Sequence, residues 1–174
     1  ALDKVSEAAE RRESNAKKTG KPVHGILVEG LSNCLVKFSR CCTPVPGDDI
    51  VGFITRGQGV SIHRRDCSNC SQLMSQPENK GRWVNVSWAD NIIDSYITTV
   101  TIASKDRSGL VMDIATVLNS LNAKVRSLTS RDTGAGLALT AISLDVKSSG
   151  ELKYIMGRLA SIPGVSSVTR NGNR

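Results

Sequence analysis

The spacing of apolar residues changes along this chain, and each change marks a new element. Over residues 1–18 apolar positions are sparse, with Leu2 and Val5 set among Ala, Glu, Lys and Arg. That pattern predicts a solvated helical lead-in over residues 1–21, stopped at Thr19-Gly20-Lys21-Pro22. Short β-branched runs then take over. Val23–Val28, Leu35–Phe38, Ile50–Ile54 and Val60–His63 read as strands, the last two joined by the loop Thr55-Arg56-Gly57-Gln58-Gly59. Thr43-Pro44-Val45-Pro46-Gly47-Asp48 is a rigid turn, because each proline fixes φ and removes a backbone donor. Asp66 is placed to cap a short helix over Cys67–Met74. These elements make a β-rich module over residues 22–74, small enough that a staple or a neighbouring domain would help it fold.

A polar stretch opens the segment 75–94, which also holds an alternating strand over Arg82–Trp88. Residues 95–174 carry the clearest periodicity. Ile97–Ala103 reads as a strand, and Leu110, Val111, Ile114, Ala115, Leu118 and Leu121 lie at helical spacing, with Asp106 or Ser108 as N-cap. Val125–Arg131 and Leu137–Val146 are strands around a glycine-bearing turn. Leu152, Ile155, Met156 and Leu159 stripe a second helix, and Val165–Thr169 is a last strand. The order is βαββαβ, the ferredoxin-like pattern, so the fold class is α+β with two small domains.

Aromatics are only 3% of the 174 residues, so the core must be built from aliphatic side chains. The same scarcity argues against a stacking platform for single-stranded nucleic acid. The formal net charge of +7 is spread thinly, and it suits either an RNA-facing surface or an ordinary solvated one. The absence of an apolar run of about 18 residues argues against a transmembrane helix. Five cysteines, an odd number, fit a reducing, cytoplasmic compartment better than a disulfide framework. The opening at Ala1 on a charged helical pattern suggests a piece of a longer protein.

The chemistry-bearing residues gather in the first module. His63 and Cys67, and Cys67 and Cys70, are spaced for shared ligation of one ion, and the Cys41-Cys42 pair could complete a tetrahedral zinc site. Asp66 is an alternative oxygen ligand. The competing reading is that buried thiols and a hydrogen-bonded histidine pack a small core. A cysteine nucleophile paired with His63 lacks a recognisable orienting group. Arg56, Arg64 and Arg65 could offer forked donors to RNA phosphates, or simply face solvent. The loop Asp106-Arg107-Ser108-Gly109-Leu110 opens a helix, where free N–H groups favour a carboxylate such as that of an amino-acid effector.

The run Phe38–Cys67 sets Cys41-Cys42, Pro44-Val45-Pro46-Gly47-Asp48, Gly52-Phe53-Ile54-Thr55 and His63-Arg64-Arg65-Asp66-Cys67 in one register. It resembles the zinc-finger-like cysteine module of RelA/SpoT proteins, the ppGpp synthetase/hydrolases of bacteria and plastids. Lys105-Asp106-Arg107-Ser108-Gly109-Leu110 and Ile162-Pro163-Gly164-Val165 are similar to the first loop and last turn of an ACT domain. The resemblance covers about residues 23–170 and supports Cys41, Cys42, His63, Asp66 and Cys67 as the cluster set. It implies a regulatory, non-catalytic piece of a GTP pyrophosphokinase/(p)ppGpp hydrolase acting in the stringent response. The implied partners are the ribosome with its rRNA and deacylated tRNA, the catalytic domains of the same chain, and a second copy in a homodimer. ACT domains elsewhere often bind amino acids at a dimer interface, so an amino-acid sensor is the alternative.

Overall fold

The computed structural model describes residues 22–57 and 59–171. The expected lead-in helix lies outside the described residues. The first module is built on an antiparallel hairpin, β3 (Ile50–Thr55) with β4 (Gly59–Arg64), in the register Ile50↔Arg64 to Thr55↔Gly59. β2 (Val36–Phe38) adds to β4 in parallel, and β5 (Trp83–Val84) adds to β3. β1 (Ile26–Val28) pairs instead with β6 (Val86–Trp88). A seven-residue helix, α1 (Ser68–Met74), follows the hairpin. Val36, Ile50, Val60 and Ile62 fill the centre of the module with Ile26.

Two positions in the hairpin have no room for a side chain. A Cβ on Gly52 would lie 2.7 Å from both Val60 and Val84. Gly59, at φ +85°, would drive a Cβ into the carbonyl of Leu35. That carbonyl accepts from the Val60 N–H at 2.8 Å, so the strand β2 can approach only a glycine there.

The second domain runs β7 (Tyr96–Lys105), α2 (Leu110–Ser120), β8 (Lys124–Gly134), β9 (Leu137–Val146), α3 (Ser149–Ala160) and β10 (Val165–Arg170). Its sheet order, β10-β7-β9-β8 with every pairing antiparallel, is the ferredoxin-like arrangement. Val100 and Ile102 of β7, Ile142 and Leu144 of β9, Ile114 and Leu118 of α2, and Leu152 and Leu159 of α3 form the core. Tyr96 is the single aromatic residue in these four strands, and it is buried. The face without helices therefore offers no ring on which a base could stack. None of the described helices is long and apolar enough to cross a membrane.

Several elements differ from the sequence expectation. The strand over Val23–Val28 begins only at Ile26, because His24 (φ 51°) and Gly25 (φ 77°) turn the chain and Val23 and Ile26 close that turn reciprocally. The strand over Arg82–Trp88 splits at Asn85, so that Trp83 meets Phe53 while Trp88 reaches the second domain. Neither Asp106 nor Ser108 caps α2, whose N-cap is Gly109 at φ 79°. Asp66 does not cap α1 either, since Cys67 holds that position. Val111, expected on the apolar face of α2, is 42% exposed.

The two domains pack directly on each other. Phe38, Trp88 and Tyr96 form a ring cluster with centroids 5.4–5.8 Å apart. The Tyr96 hydroxyl donates to the carbonyl of His24 at 2.8 Å, and Val45 of the proline turn sits fully buried in the second domain's core. Gly59→Ala tests the hairpin's tightest approach. Thermal or urea unfolding should show a loss of about 1–3 kcal/mol from overpacking and a strained φ. A wild-type midpoint would contradict it.

Candidate metal centre

The hairpin register brings one chemical cluster together. His63 is the next-to-last residue of β4, which ends at Arg64, and the chain then turns to Cys67, closed by a Cys67 N–H bond to the Arg64 carbonyl at 3.1 Å. On the opposite side, the Thr43 N–H bonds the Ser39 carbonyl at 2.9 Å and curls the Cys41-Cys42 segment into a tight turn. The ligand atoms of Cys41, Cys42, His63 and Cys67 all lie within 4.8 Å of one another. Cys41 Sγ is 3.5 Å from His63 Nδ1 and 3.6 Å from Cys67 Sγ, and Cys42 Sγ is 3.9 Å from His63 Nδ1. Cys42 and Cys67 are fully buried, and Val51, Cys70 and Trp83 pack around them.

The electrostatics follow from crowding sulfur in a dry site. Burial pushes the Cys41 and Cys42 thiols up, and Cys70 is pushed up to about 11 by burial and by the neighbouring Cys67 sulfur. Burial also pushes Cys67 up, but N–H donation from Cys70 and Asn69 and the Cys41 thiol outweighs it, leaving Cys67 below an ordinary thiol. Burial holds His63 in its neutral form, the form that ligates metal. The donor set fits zinc. Bonds of roughly 2.3 Å to sulfur and 2.0 Å to nitrogen give a three-sulfur, one-nitrogen tetrahedron with edges of about 3.5–3.8 Å, near the 3.5, 3.6 and 3.9 Å separations here, with the remaining pairs within 4.8 Å. A divalent cation would reverse the cost of gathering thiolates.

Asp66 stands apart from this group. Its side chain is 65% exposed and takes the Arg64 Nε at 3.0 Å, because the chain there turns out toward solvent. Cys70 lies beside the four, whereas Cys34 packs in the module's other core.

The comparisons with known proteins bear on both domains. Residues 26–89 match the model of the RelA/SpoT RIS domain, and residues 93–170 match an ACT domain model. The chain carries a RelA/SpoT RIS domain followed by an ACT domain. It is 34% identical over 172 residues, 98% of its length, to the GTP pyrophosphokinase of Escherichia coli K12, of which it covers 22%. It is 37% identical over 146 residues to that of Haemophilus influenzae, covering 83% of this chain and 19% of that protein. The chain thus spans about a fifth of the length of these curated relatives. The crystal structure of the ACT domain from the GTP pyrophosphokinase of Chlorobium tepidum is 21% identical, aligning with 44% of this chain and 97% of its own (TM-score 0.40).

The RIS arginines part company. Arg56 is exposed at the hairpin tip, and Arg65 is 44% exposed and pairs with Asp49 at 3.0 Å. Arg64, expected at a surface with them, is 2% exposed. It reaches into the junction with the ACT domain, donating to Asp66 and to the Asn171 carbonyl at 3.1 Å. In the ACT loop, Arg107 donates through Nε to the Pro163 carbonyl at 3.0 Å and through Nη2 to Asp113 at 2.6 Å. Its fork is engaged by the protein. The paired residues Asp48 and Arg170 (2.8 Å) also escaped sequence reading, since no local pattern links positions 122 apart.

Metal analysis of the chain purified without a histidine tag should return close to one zinc per chain. Affinity should fall with pH as the thiols and His63 take up protons, and Cys67→Ser should cost several kcal/mol, since binding energy there is folding energy. Near-zero zinc with an intact fold would leave the cluster as packing alone.

Proposed function

We propose that this chain is a non-catalytic regulatory part of a stringent-response (p)ppGpp synthetase/hydrolase. In this reading it couples amino-acid starvation to the enzyme by engaging the ribosome and its RNA. Off the ribosome it restrains the catalytic domains of the same protein and pairs with a second copy. The observation that carries the reading is coverage: RIS and ACT modules fill residues 26–89 and 93–170, and the aligned relatives named GTP pyrophosphokinase are about five times longer. Zinc held by Cys41, Cys42, His63 and Cys67 is the structural staple of the RIS module, with no part in chemistry. Arg56 and Arg65 are the RIS arginines turned outward for phosphate contact, and Arg64 is withdrawn from that role. Self-association uses β8, an 11-residue edge strand with its outer side exposed.

An amino-acid sensor is the weaker reading. A carboxylate at the Asp106–Leu110 loop would want the Arg107 fork, which already holds Pro163 and Asp113.

Sedimentation with ribosomes carrying deacylated tRNA tests the proposal. The chain should co-pellet, turn over no guanine nucleotide, and bind less tightly as salt rises. Arg56→Ala with Arg65→Ala should weaken binding and flatten the salt slope by about 1–2, one step per lost phosphate contact. Failure to pellet, or turnover above a buffer control, would overturn the reading. Unchanged binding by the double variant would move the contact elsewhere.

A further inference from the structure

The residues that follow two of the cluster ligands are the ones the ACT domain grips. Cys42 is followed by Thr43, whose carbonyl accepts from Arg170 Nη2 at 3.1 Å and whose hydroxyl meets that of Thr98 at 2.9 Å. His63 is followed by Arg64, whose Nη2 donates to the Asn171 carbonyl at 3.1 Å while its backbone N–H donates to Cys42 Sγ at 3.4 Å. Thr43 sits at φ 43°, a conformation a β-branched residue seldom adopts unless its surroundings impose it. Those surroundings are the Ser39 carbonyl on the RIS side and Thr98 and Arg170 on the ACT side. Arg170 is itself fixed by two 2.8 Å bonds to Asp48, four residues past the first proline of the turn. Further along, the Ser149 N–H at the start of α3 donates to the Pro46 carbonyl at 2.7 Å.

We propose that occupancy of the RIS cysteine–histidine cluster and docking of the ACT domain form one coupled equilibrium, with Thr98 and Arg170 as positioning residues for the cluster. The inference rests on the zinc reading above. An ion that gathers Cys41, Cys42, His63 and Cys67 fixes the backbone of residues 41–43 and 63–64. A docked ACT domain fixes the same backbone through Thr43 and Arg64. Whichever event comes first removes part of the ordering cost from the second. Linkage makes the effect reciprocal: the docked domain raises affinity for the ion, and loss of the ion loosens the ACT domain. The regulator thereby gains a way to release one of its two domains without a nucleotide or a protease.

Two variants of the whole 174-residue chain test this without touching a ligand. Thr98→Val keeps the shape but deletes the hydroxyl facing Thr43, and Arg170→Lys keeps the charge but loses the fork. Zinc affinity is read by competition with a chromophoric chelator. Both variants should bind zinc about 5- to 100-fold more weakly, the usual range for coupled sites. In the unmodified chain, stripping zinc should speed hydrogen exchange at residues 165–170, although no ligand lies in that strand. Unchanged zinc affinity in a variant whose last strand exchanges faster would overturn the coupling, as would exchange at 165–170 that ignores the metal. If the unmodified chain takes up no zinc, the zinc reading fails by itself. The coupling is then decided by iodoacetamide labelling of Cys41: faster labelling in the variants upholds it, and equal rates overturn it.

Discussion

Asp48 and Arg170 stand 122 positions apart and meet in a two-pronged ion pair that is almost out of water. A buried pair of this kind adds little net stability over a well-packed apolar replacement, but removing one partner costs about 3–5 kcal/mol because a charge is left stranded. Its value here is orientation. Asp48 ends a turn whose two prolines fix the path of the chain, and its second carboxylate oxygen also caps that turn at the Val45 N–H, 2.8 Å away. One short, stiff segment therefore faces three ways: Cys41 and Cys42 at one end, Val45 in the ACT core at its middle, and Asp48 on the last ACT strand at the other end.

That arrangement answers the stability problem of the RIS module. Five buried aliphatic residues make its main apolar centre, which is little for a unit of this size. The ACT domain closes the exposed side with the Phe38–Trp88–Tyr96 rings, and the cysteine cluster closes the other. Burial pushes the Cys41 and Cys42 thiols up, so holding them as thiolates is costly unless a cation sits among them.

Much of this was legible in the chain. The βαββαβ domain is written in long, regular periodicities, and all six of its elements appear in the order read. The meeting of Cys41, Cys42, His63 and Cys67 follows from closing one hairpin around a rigid turn. What escaped depends on distant partners. Arg64 looks like its neighbour Arg65 in sequence, yet β4 ends between them, so one side chain enters the junction while the other faces solvent. Arg82–Trp88 alternates as one strand, but two sheets compete for its halves and Asn85 becomes the hinge. Asp66 has the right chemistry for a ligand and the wrong direction. α2 has Gly109 as its N-cap and no side-chain cap, and Arg107 instead spans the start of the helix by donating to Pro163 and Asp113.

RIS and ACT form one structural unit through the proline turn, rather than two beads on a linker. Equilibrium unfolding in urea with two probes tests this most directly. Trp83 packs inside the RIS module and Trp88 sits on its junction face, so fluorescence reports the RIS module and its docked face, while amide signals from β9 and α3 report the ACT domain. A single unit unfolds in one transition, with coincident midpoints and slopes for both probes. Two separated transitions, with the tryptophan signal lost while the β9 and α3 signals persist, would contradict it.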